Sequence, residues 1–320
     1  MNGEGLKNYK KRIIEETIKK YLNVAGAICV EGPKWCGKTS TSFAMSKSHF
    51  YVGAFDYNFS NKEIAKLNPK IMLEGENPRL IDEWQEEPWI WDAVRWEVDW
   101  RSQKGQFILT GSSTPKHKGI LHSGAGRIVK VRMETMSLFE SEDSTGAISL
   151  SDLCNGKINE QLVEPLSFEK LAYLIVRGGW PKNIDASYED CHLLPNSYIK
   201  TVLDESIKEI DNVKYDPLKV KLILKSLARN ESTLVSEETI IKDITENDKR
   251  IISRPTLNKY IDLLNRMFIF NNQQPYSPDT RSSLRVRISE KKRFCDPSLA
   301  CALLNVNHKK LMNEKPGQNY

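Results

Sequence analysis

Residues 32–39 read Gly-Pro-Lys-Trp-Cys-Gly-Lys-Thr, a full match to the pattern G-x-x-x-x-G-K-[ST]. Backbone N–H groups of such a turn converge on phosphate oxygens, and a helix opening from it adds the positive end of its dipole. The pattern implies a site for the polyphosphate of a nucleoside triphosphate. Gly32, Pro33, Lys34, Trp35, Cys36, Gly37, Lys38, Thr39 and the following Ser40 are the candidate binding residues. Lys38 is expected to reach the β- and γ-phosphates, and the Thr39 hydroxyl to ligate Mg2+. An ordinary glycine turn before a helix is the plainer alternative.

A phosphate loop binds, but hydrolysis also needs a positioned metal and an activated water. The run Arg79-Leu80-Ile81-Asp82-Glu83 ends in an acid pair. There Asp82 can hold the Mg2+ shell and Glu83 can orient or deprotonate the attacking water, roles that a surface Asp-Glu pair would not have. Thr110-Gly111-Ser112-Ser113 follows a second apolar run, so Ser112 is a candidate sensor of the γ-phosphate, against the reading as a tight turn. After Gly124-Ala125-Gly126, Arg127 is a candidate for neutralising transition-state charge, although a lone arginine after glycines is more often solvated.

These groups need a scaffold that brings them together. Residues 8–22 have the spacing of an amphipathic lead-in helix. Residues 27–31, 50–56, 79–83 and 106–110 read as strands, and a helix begins inside the loop at Thr39. Strands separated by helical patterns imply an α/β fold, a parallel sheet with helices on both faces. Residues 84–100 hold five of the seven tryptophans. Trp89, Trp96 and Trp100 fall on one helix face, which is expected to pack into the core rather than to stack on bases or meet a partner.

Beyond the sheet, residues 141–160 read as a polar surface excursion. Helices are expected over 167–177 and 193–210, on either side of Gly178-Gly179-Trp180-Pro181. Amphipathic segments at 216–229, 236–244 and 255–267, then a short strand at 268–270, follow the order of a winged-helix module, though a plain helical bundle has the same periodicity. Arg281, Arg285, Arg287, Lys291, Lys292 and Arg293 form a basic cluster, ahead of a helix over 298–304 and a polar tail at 313–320. The expected domains are an ATPase core with its lead-in helix (1–140), an excursion and helical lid (141–210), a winged-helix-like domain (211–275) and a basic, truncated C-terminal segment (276–320).

At 320 residues, 39% hydrophobic and 28% charged, the chain has the length for a substantial core and no apolar run long enough to span a bilayer. The N-terminus lacks the apolar segment of a secretory signal, so a cytoplasmic location is expected by default. Six cysteines without a C-x-x-C pair read as reduced thiols rather than a zinc site. Cys36, between Lys34 and Lys38, is expected to have a lowered thiol pKa, and its alkylation to abolish nucleotide binding. The net charge of +5 permits nucleic-acid binding without requiring it. Arg254, Asn258 and Lys259, with the basic cluster, make 254–293 the candidate surface for a DNA or protein partner. No membrane partner is expected, and a small-molecule kinase would need an acceptor lid of which the sequence has no sign.

Together Gly-Pro-Lys-Trp-Cys-Gly-Lys-Thr, Leu-Ile-Asp-Glu-Trp-Gln, Phe-Ile-Leu-Thr-Gly-Ser-Ser and Gly-Arg-Ile resemble a large family of prokaryotic AAA+-type ATPases with a C-terminal domain of unknown function. Arg177-Gly178-Gly179-Trp180-Pro181 and Lys291-Lys292-Arg293-Phe294-Cys295-Asp296-Pro297 resemble motifs of that later part, and the likeness runs from about residue 9 to 305. The resemblance implies ATP rather than GTP, the loop, acid-pair and sensor roles given above, and a recurring arginine at Arg127. Longer members continue into a nuclease-like domain. This chain stops at Tyr320 without its acidic strands, so nuclease activity is not expected.

Overall fold

The computed structural model describes residues 9–56, 59–113, 121–157, 162–206, 215–248, 252–283 and 289–313. The expectations that touch residue 8, 207–210, Arg285, Arg287 and the tail beyond 313 lie outside these residues. The chain divides into two compact units, Met1–Met136 and Ser137–Tyr320.

The first unit begins with α1 (Ile14–Leu22), which leads into β1 (Ala27–Glu31), the phosphate-loop sequence and α2 (Lys38–Ala44). Next come β2 (Ser48–Tyr51), a small antiparallel hairpin of β3 (Phe55–Asp56) and β4 (Phe59–Ser60), α3 (Asn61–Leu67) and α4 (Pro69–Leu73). The unit closes with β5 (Arg79–Asp82), α5 (Trp89–Arg101), β6 (Phe107–Gly111) and β7 (Ile128–Arg132). The main sheet runs in the order β2-β5-β6-β1-β7, and every pairing is parallel.

Alternation along the strands decides which side each residue serves. Ala27, Cys29, Ile81, Phe107 and Leu109 face a cluster with Ile90, Trp91, Val94 and Val98 of α5 and with Met72 and Leu73 of α4. Ile28, Val30, Leu80 and Ile108 face the other way, toward Ile18 of α1 and Met133. Burial on both faces explains the continuous apolar runs, and the expected α/β fold with helices on both sides is the one observed.

Two expectations need correction. The strand read at 50–56 lies instead at Ser48–Tyr51, with the chain then turning into the β3–β4 hairpin. The tryptophan stripe packs inward only at Trp89, which lies half-buried against the core. Trp96 and Trp100 are 55% and 74% exposed and stack on each other, with ring centroids 5.4 Å apart. The buried face of α5 is Ile90, Trp91, Val94 and Val98.

The second unit is helical: α6 (Leu150–Cys154), α7 (Phe168–Arg177), α8 (Leu193–Thr201), α9 (Pro217–Arg229), α10 (Glu237–Asp248), α11 (Arg254–Arg266), α12 (Pro297–Leu304) and α13 (His308–Asn313). Its main core joins Trp180, Tyr198, Leu224, Leu227, Leu257, Leu264, Phe270, Phe294 and Leu299 in one cluster. That cluster draws on residues 180–202, 220–270 and 294–303. Of the strand expected at 268–270, only Phe270 forms an isolated antiparallel bridge, with Phe294; Gln273 beyond it bridges to Lys291, and Thr233 to Lys292.

The two motifs singled out in this half meet each other. Asp296 caps α12 through the Ser298 N–H and accepts the Gly179 N–H at 2.8 Å. The Trp180 indole donates to the Ser298 hydroxyl at 2.9 Å. These groups are buried, and the hydrogen bonds satisfy polar atoms that would be costly to leave unpaired. Among the described residues, no helix is long and apolar enough to cross a membrane.

Candidate phosphate-loop site

The sheet order assembles this site. β6 lies between β1 and β5, so the loop after β1, the acid pair after β5 and the hydroxyl segment after β6 emerge side by side at the C-terminal edge. Open parallel sheets place their ligands at this edge.

The loop is shaped by its glycines. A Cβ on Gly32 would lie 2.1 Å from the Met133 carbonyl oxygen, so only a bare backbone passes there. Gly37 turns the chain into α2 at φ 103°, a left-handed conformation costly for other residues. Lys38 is buried, and its ammonium donates to the loop's own carbonyls, Gly32 at 3.0 Å and Pro33 at 2.8 Å. Trp35 stands on the outside of the loop, 41% exposed. Ser40 follows Thr39 on α2, and Lys34 is half-buried.

Asp82 ties the three segments together. Its Oδ1 accepts the Thr39 hydroxyl at 2.9 Å and the Thr110 hydroxyl at 2.6 Å. Thr110 also accepts the Glu83 N–H at 3.0 Å, so one hydroxyl fixes both acids. Burial pushes the Asp82 carboxyl above the usual aspartate range, and the two hydroxyls only partly offset this. Glu83 adopts left-handed backbone angles, φ 58° and ψ 49°, unfavourable for a residue with a side chain. Its Oε2 accepts the Ser112 hydroxyl at 2.9 Å and the Gln85 amide, and that amide also donates to Ser112 at 3.2 Å.

Gly32 to Thr39, Asp82, Glu83 and Ser112 are thus brought together, whereas Arg127 is not. The Arg127 carbonyl accepts the Ala27 N–H at the start of β1, the opposite end of that strand from the loop. Its guanidinium donates to Asp99 of α5 at 2.9 Å. Five residues of strand separate the two ends, on the order of 16 Å, so Arg127 does not reach its own chain's loop.

The expectation for Cys36 is also corrected. Its side chain points beneath the loop into the apolar cluster with Ile28, Val30 and Met133, fully buried. Burial raises the thiol pKa despite Lys38 and Arg12 nearby, and a thiol so enclosed is inert rather than reactive.

Sequence reasoning missed three residues. Gln85, at the turn after Glu83, showed no local signal beyond its place in Asp82-Glu83-Trp84-Gln85. Arg12, only 4% exposed, donates to the Cys36 carbonyl inside the loop and to the Glu134 carbonyl, each at 2.8 Å. Tyr9 donates to Glu15 at 2.8 Å and accepts the hydroxyl of Thr41 of α2 at 3.1 Å, and burial raises its phenol. Glu15 in turn accepts the Arg12 N–H. The segment before α1 thus braces the loop, a contact that no sequence period marks.

With this geometry in view, comparison with known proteins places the two units. Residues 25–142 match the AAA domain family, and residues 168–310 match a domain of unknown function, DUF8612. Among solved structures the chain resembles the Walker-type ATPase PABY2304 of Pyrococcus abyssi at 12% identity and TM-score 0.52, covering 93% of this chain and 97% of that one. That likeness shows the fold alone, a five-stranded parallel sheet with helices followed by a helical region. The chain is also 22% identical over 310 residues to the proteins Rv2008c of Mycobacterium tuberculosis and Mb2031c of Mycobacterium bovis. Those alignments cover 96% of this chain and 62% of each relative, so the chain spans about three-fifths of their length.

The donor set fits a magnesium nucleotide. The loop is a cradle that a Cβ at Gly32 would fill, and the Thr39 hydroxyl and Asp82 carboxylate sit within one hydrogen bond of each other. Among the described residues there is no group of three or more His, Cys, Asp or Glu side chains that could hold a metal. Magnesium commonly takes one or two protein oxygens and completes its shell with waters and phosphates.

Proposed function

We propose that this chain is a Mg2+-dependent ATPase of AAA+ type whose nucleotide state moves a winged-helix module. The observation that carries the reading is Asp82, whose single oxygen accepts from both Thr39 of the loop helix and Thr110 of the neighbouring strand. It sets the acid pair against the phosphate cradle, where hydrolysis needs it.

Thr39 and Asp82 would hold the Mg2+, which when bound would neutralise phosphate charge. Lys38 exchanges the Gly32 and Pro33 carbonyls for phosphate oxygens, a stronger charge-assisted partner. Glu83 orients the attacking water, and Ser112 and Gln85 set the direction of its carboxylate. Arg127 can neutralise charge only at the site of a second molecule, because its own loop is at the other end of the sheet.

The winged-helix part of the proposal draws on chain order in the second unit. Three helices, Pro217–Arg229, Glu237–Asp248 and Arg254–Arg266, precede the bridges of Phe270 and Gln273 to residues 294 and 291, and Thr233 between the first two helices joins the same edge. Nucleotide turnover of the purified chain, with magnesium and with EDTA, tests the enzymatic reading. Lys38→Ala should lower nucleotide affinity about 100-fold, the value of losing charged hydrogen bonds. Glu83→Gln should keep nucleotide bound while turnover falls about 100-fold or more. Wild-type turnover by Glu83→Gln would remove Glu83 from the mechanism. A second reading, an ATP-switched DNA-binding regulator with little turnover, draws on the basic residues near the end of the chain.

A further inference from the structure

Two hydroxyls at the end of β6 are set on two successive acids. Thr110 and Ser112 are two residues apart, the spacing that puts side chains on one side of an extended chain. Thr110 donates to Asp82 Oδ1 at 2.6 Å, and Ser112 donates to Glu83 Oε2 at 2.9 Å. Asp82 has a second hydroxyl donor in Thr39. At Glu83 the second donor is instead the Gln85 amide, on the same oxygen.

That amide is oriented at a cost. Its nitrogen donates to Glu83 Oε2 and to the Ser112 oxygen, the latter at 3.2 Å. Its own oxygen is buried and, among the described residues, has no hydrogen-bond partner. A buried acceptor without a donor is unfavourable, yet turning the amide over would set that oxygen against a carboxylate. Glu83 therefore dictates the orientation. The bare backbone at Gly111 leaves the space for it. A Cβ there would lie 3.2 Å from the Gln85 oxygen and 2.9 Å from the Trp84 indole nitrogen.

The three side chains close a ring, Gln85 to Glu83, Gln85 to Ser112 and Ser112 to Glu83. A hydroxyl carries one proton. While Ser112 donates to Glu83 it cannot donate to a phosphate oxygen, so a sensor at this position must exchange one acceptor for the other. Glu83 then keeps Gln85 as its side-chain donor. Both donors lie on Oε2, which leaves Oε1 for a water.

We infer that Gln85 is a positioning residue for the proposed hydrolysis, holding the Glu83 carboxylate while the Ser112 hydroxyl turns from it to the terminal phosphate. The inference rests on the ATPase reading above and deepens it. One hydroxyl thereby links arrival of the third phosphate to the water-orienting acid. ADP, which lacks that phosphate, leaves the ring closed.

The test is calorimetric binding of ADP and of a non-hydrolysable ATP analogue, each with magnesium, beside steady-state turnover. Glu83→Gln changes the acceptor of Ser112 from charged to neutral, so the preference for the analogue over ADP should rise about tenfold. In a Ser112→Ala background the same substitution should leave that preference unchanged. An equal rise in both backgrounds would overturn the exchange, because loss of the Glu83 charge would then explain it alone.

Gln85→Met keeps the length of the side chain without its donors. With unchanged circular dichroism, it should lower kcat about tenfold and leave KM and both affinities within about twofold. Added to Glu83→Gln, it should cause no further loss of turnover. Wild-type kcat in Gln85→Met, a matching rise in KM, or a further loss in the double variant would overturn the positioning role. The Ser112-dependent preference without any turnover would remove the ATPase reading and leave the exchange standing. A chain that binds neither nucleotide would defeat both.

Discussion

Each unit half-buries an aspartate, Asp82 in the first and Asp143 in the second, and the two are surrounded in opposite ways. Asp143, in the second unit, is 10% exposed at its side chain and faces Arg177 at 2.8 Å and Lys170 at 3.0 Å. Burial alone would raise its carboxyl, but bonds from Ser141, Lys170 and Arg177 bring it below the ordinary range. Asp82, in the first unit, has two hydroxyls as hydrogen-bond partners and stands above that range because burial dominates. A carboxylate that serves the fold keeps its counter-charge in the chain. One whose bonding partners are neutral is suited to a cation that arrives with a ligand.

The same substitution should therefore have opposite consequences at the two positions. Asp82→Asn should lower magnesium-dependent turnover about 100-fold or more, the loss of several kcal/mol of metal-assisted stabilisation, with folding stability unchanged or improved. Unchanged turnover would dissolve the distinction. Asp143→Asn should cost about 3–5 kcal/mol in a denaturant titration, because Arg177 is left buried without its partner, while nucleotide affinity stays at the wild-type value.

Acidity sharpens the contrast in nucleotide-free protein with EDTA. Folded Asp82 takes up a proton more readily than the unfolded chain, so its contribution favours the fold at acid pH and fades as pH rises through its raised value. Asp143 behaves in reverse, contributing above the ordinary aspartate range and losing that contribution as pH falls toward its lowered value. Stability differences between wild type and each Asn variant, followed from acid to neutral pH, should slope in opposite senses. Parallel slopes would count against the comparison.

Smaller effects are expected around the loop. Arg12→Lys can keep only one of two carbonyl bonds and should weaken nucleotide binding about tenfold, read by calorimetry. Ser112→Ala removes one of two side-chain donors to Glu83, worth about 1 kcal/mol, and should shift turnover by roughly fivefold or less.

Much of the first unit was legible because its signals are contiguous. The loop motif, the apolar runs of β1, β5 and β6 and the acid pair each occupy a handful of successive residues, and parallel strands buried on both faces leave a plain record in sequence. Three features were not legible, each for a physical reason. Helix α5 carries two interleaved apolar sets, Ile90-Trp91-Val94-Val98 and Trp89-Trp96-Trp100, both at helical spacing, and only the sheet decides that Trp96 and Trp100 are left uncovered. Cys36 was read from its charged sequence neighbours, but its side chain leaves them and enters the core. Arg127 looked catalytic from its setting after glycines, while strand register fixes it beside Ala27, away from the loop. In the second unit the meeting of Gly179 and Trp180 with Asp296 and Ser298 is tertiary and carries no period at all.

The position of β1 has a consequence for biosynthesis. Ala27 lies between Phe107 on one side and Ile128 on the other, partners about 80 and 100 residues further along the chain. A nascent polypeptide that has already emerged through its glycine loop still lacks both flanking strands. Affinity for nucleotide should thus arise late and abruptly during translation, once the stretch ending at Arg132 is free to pair.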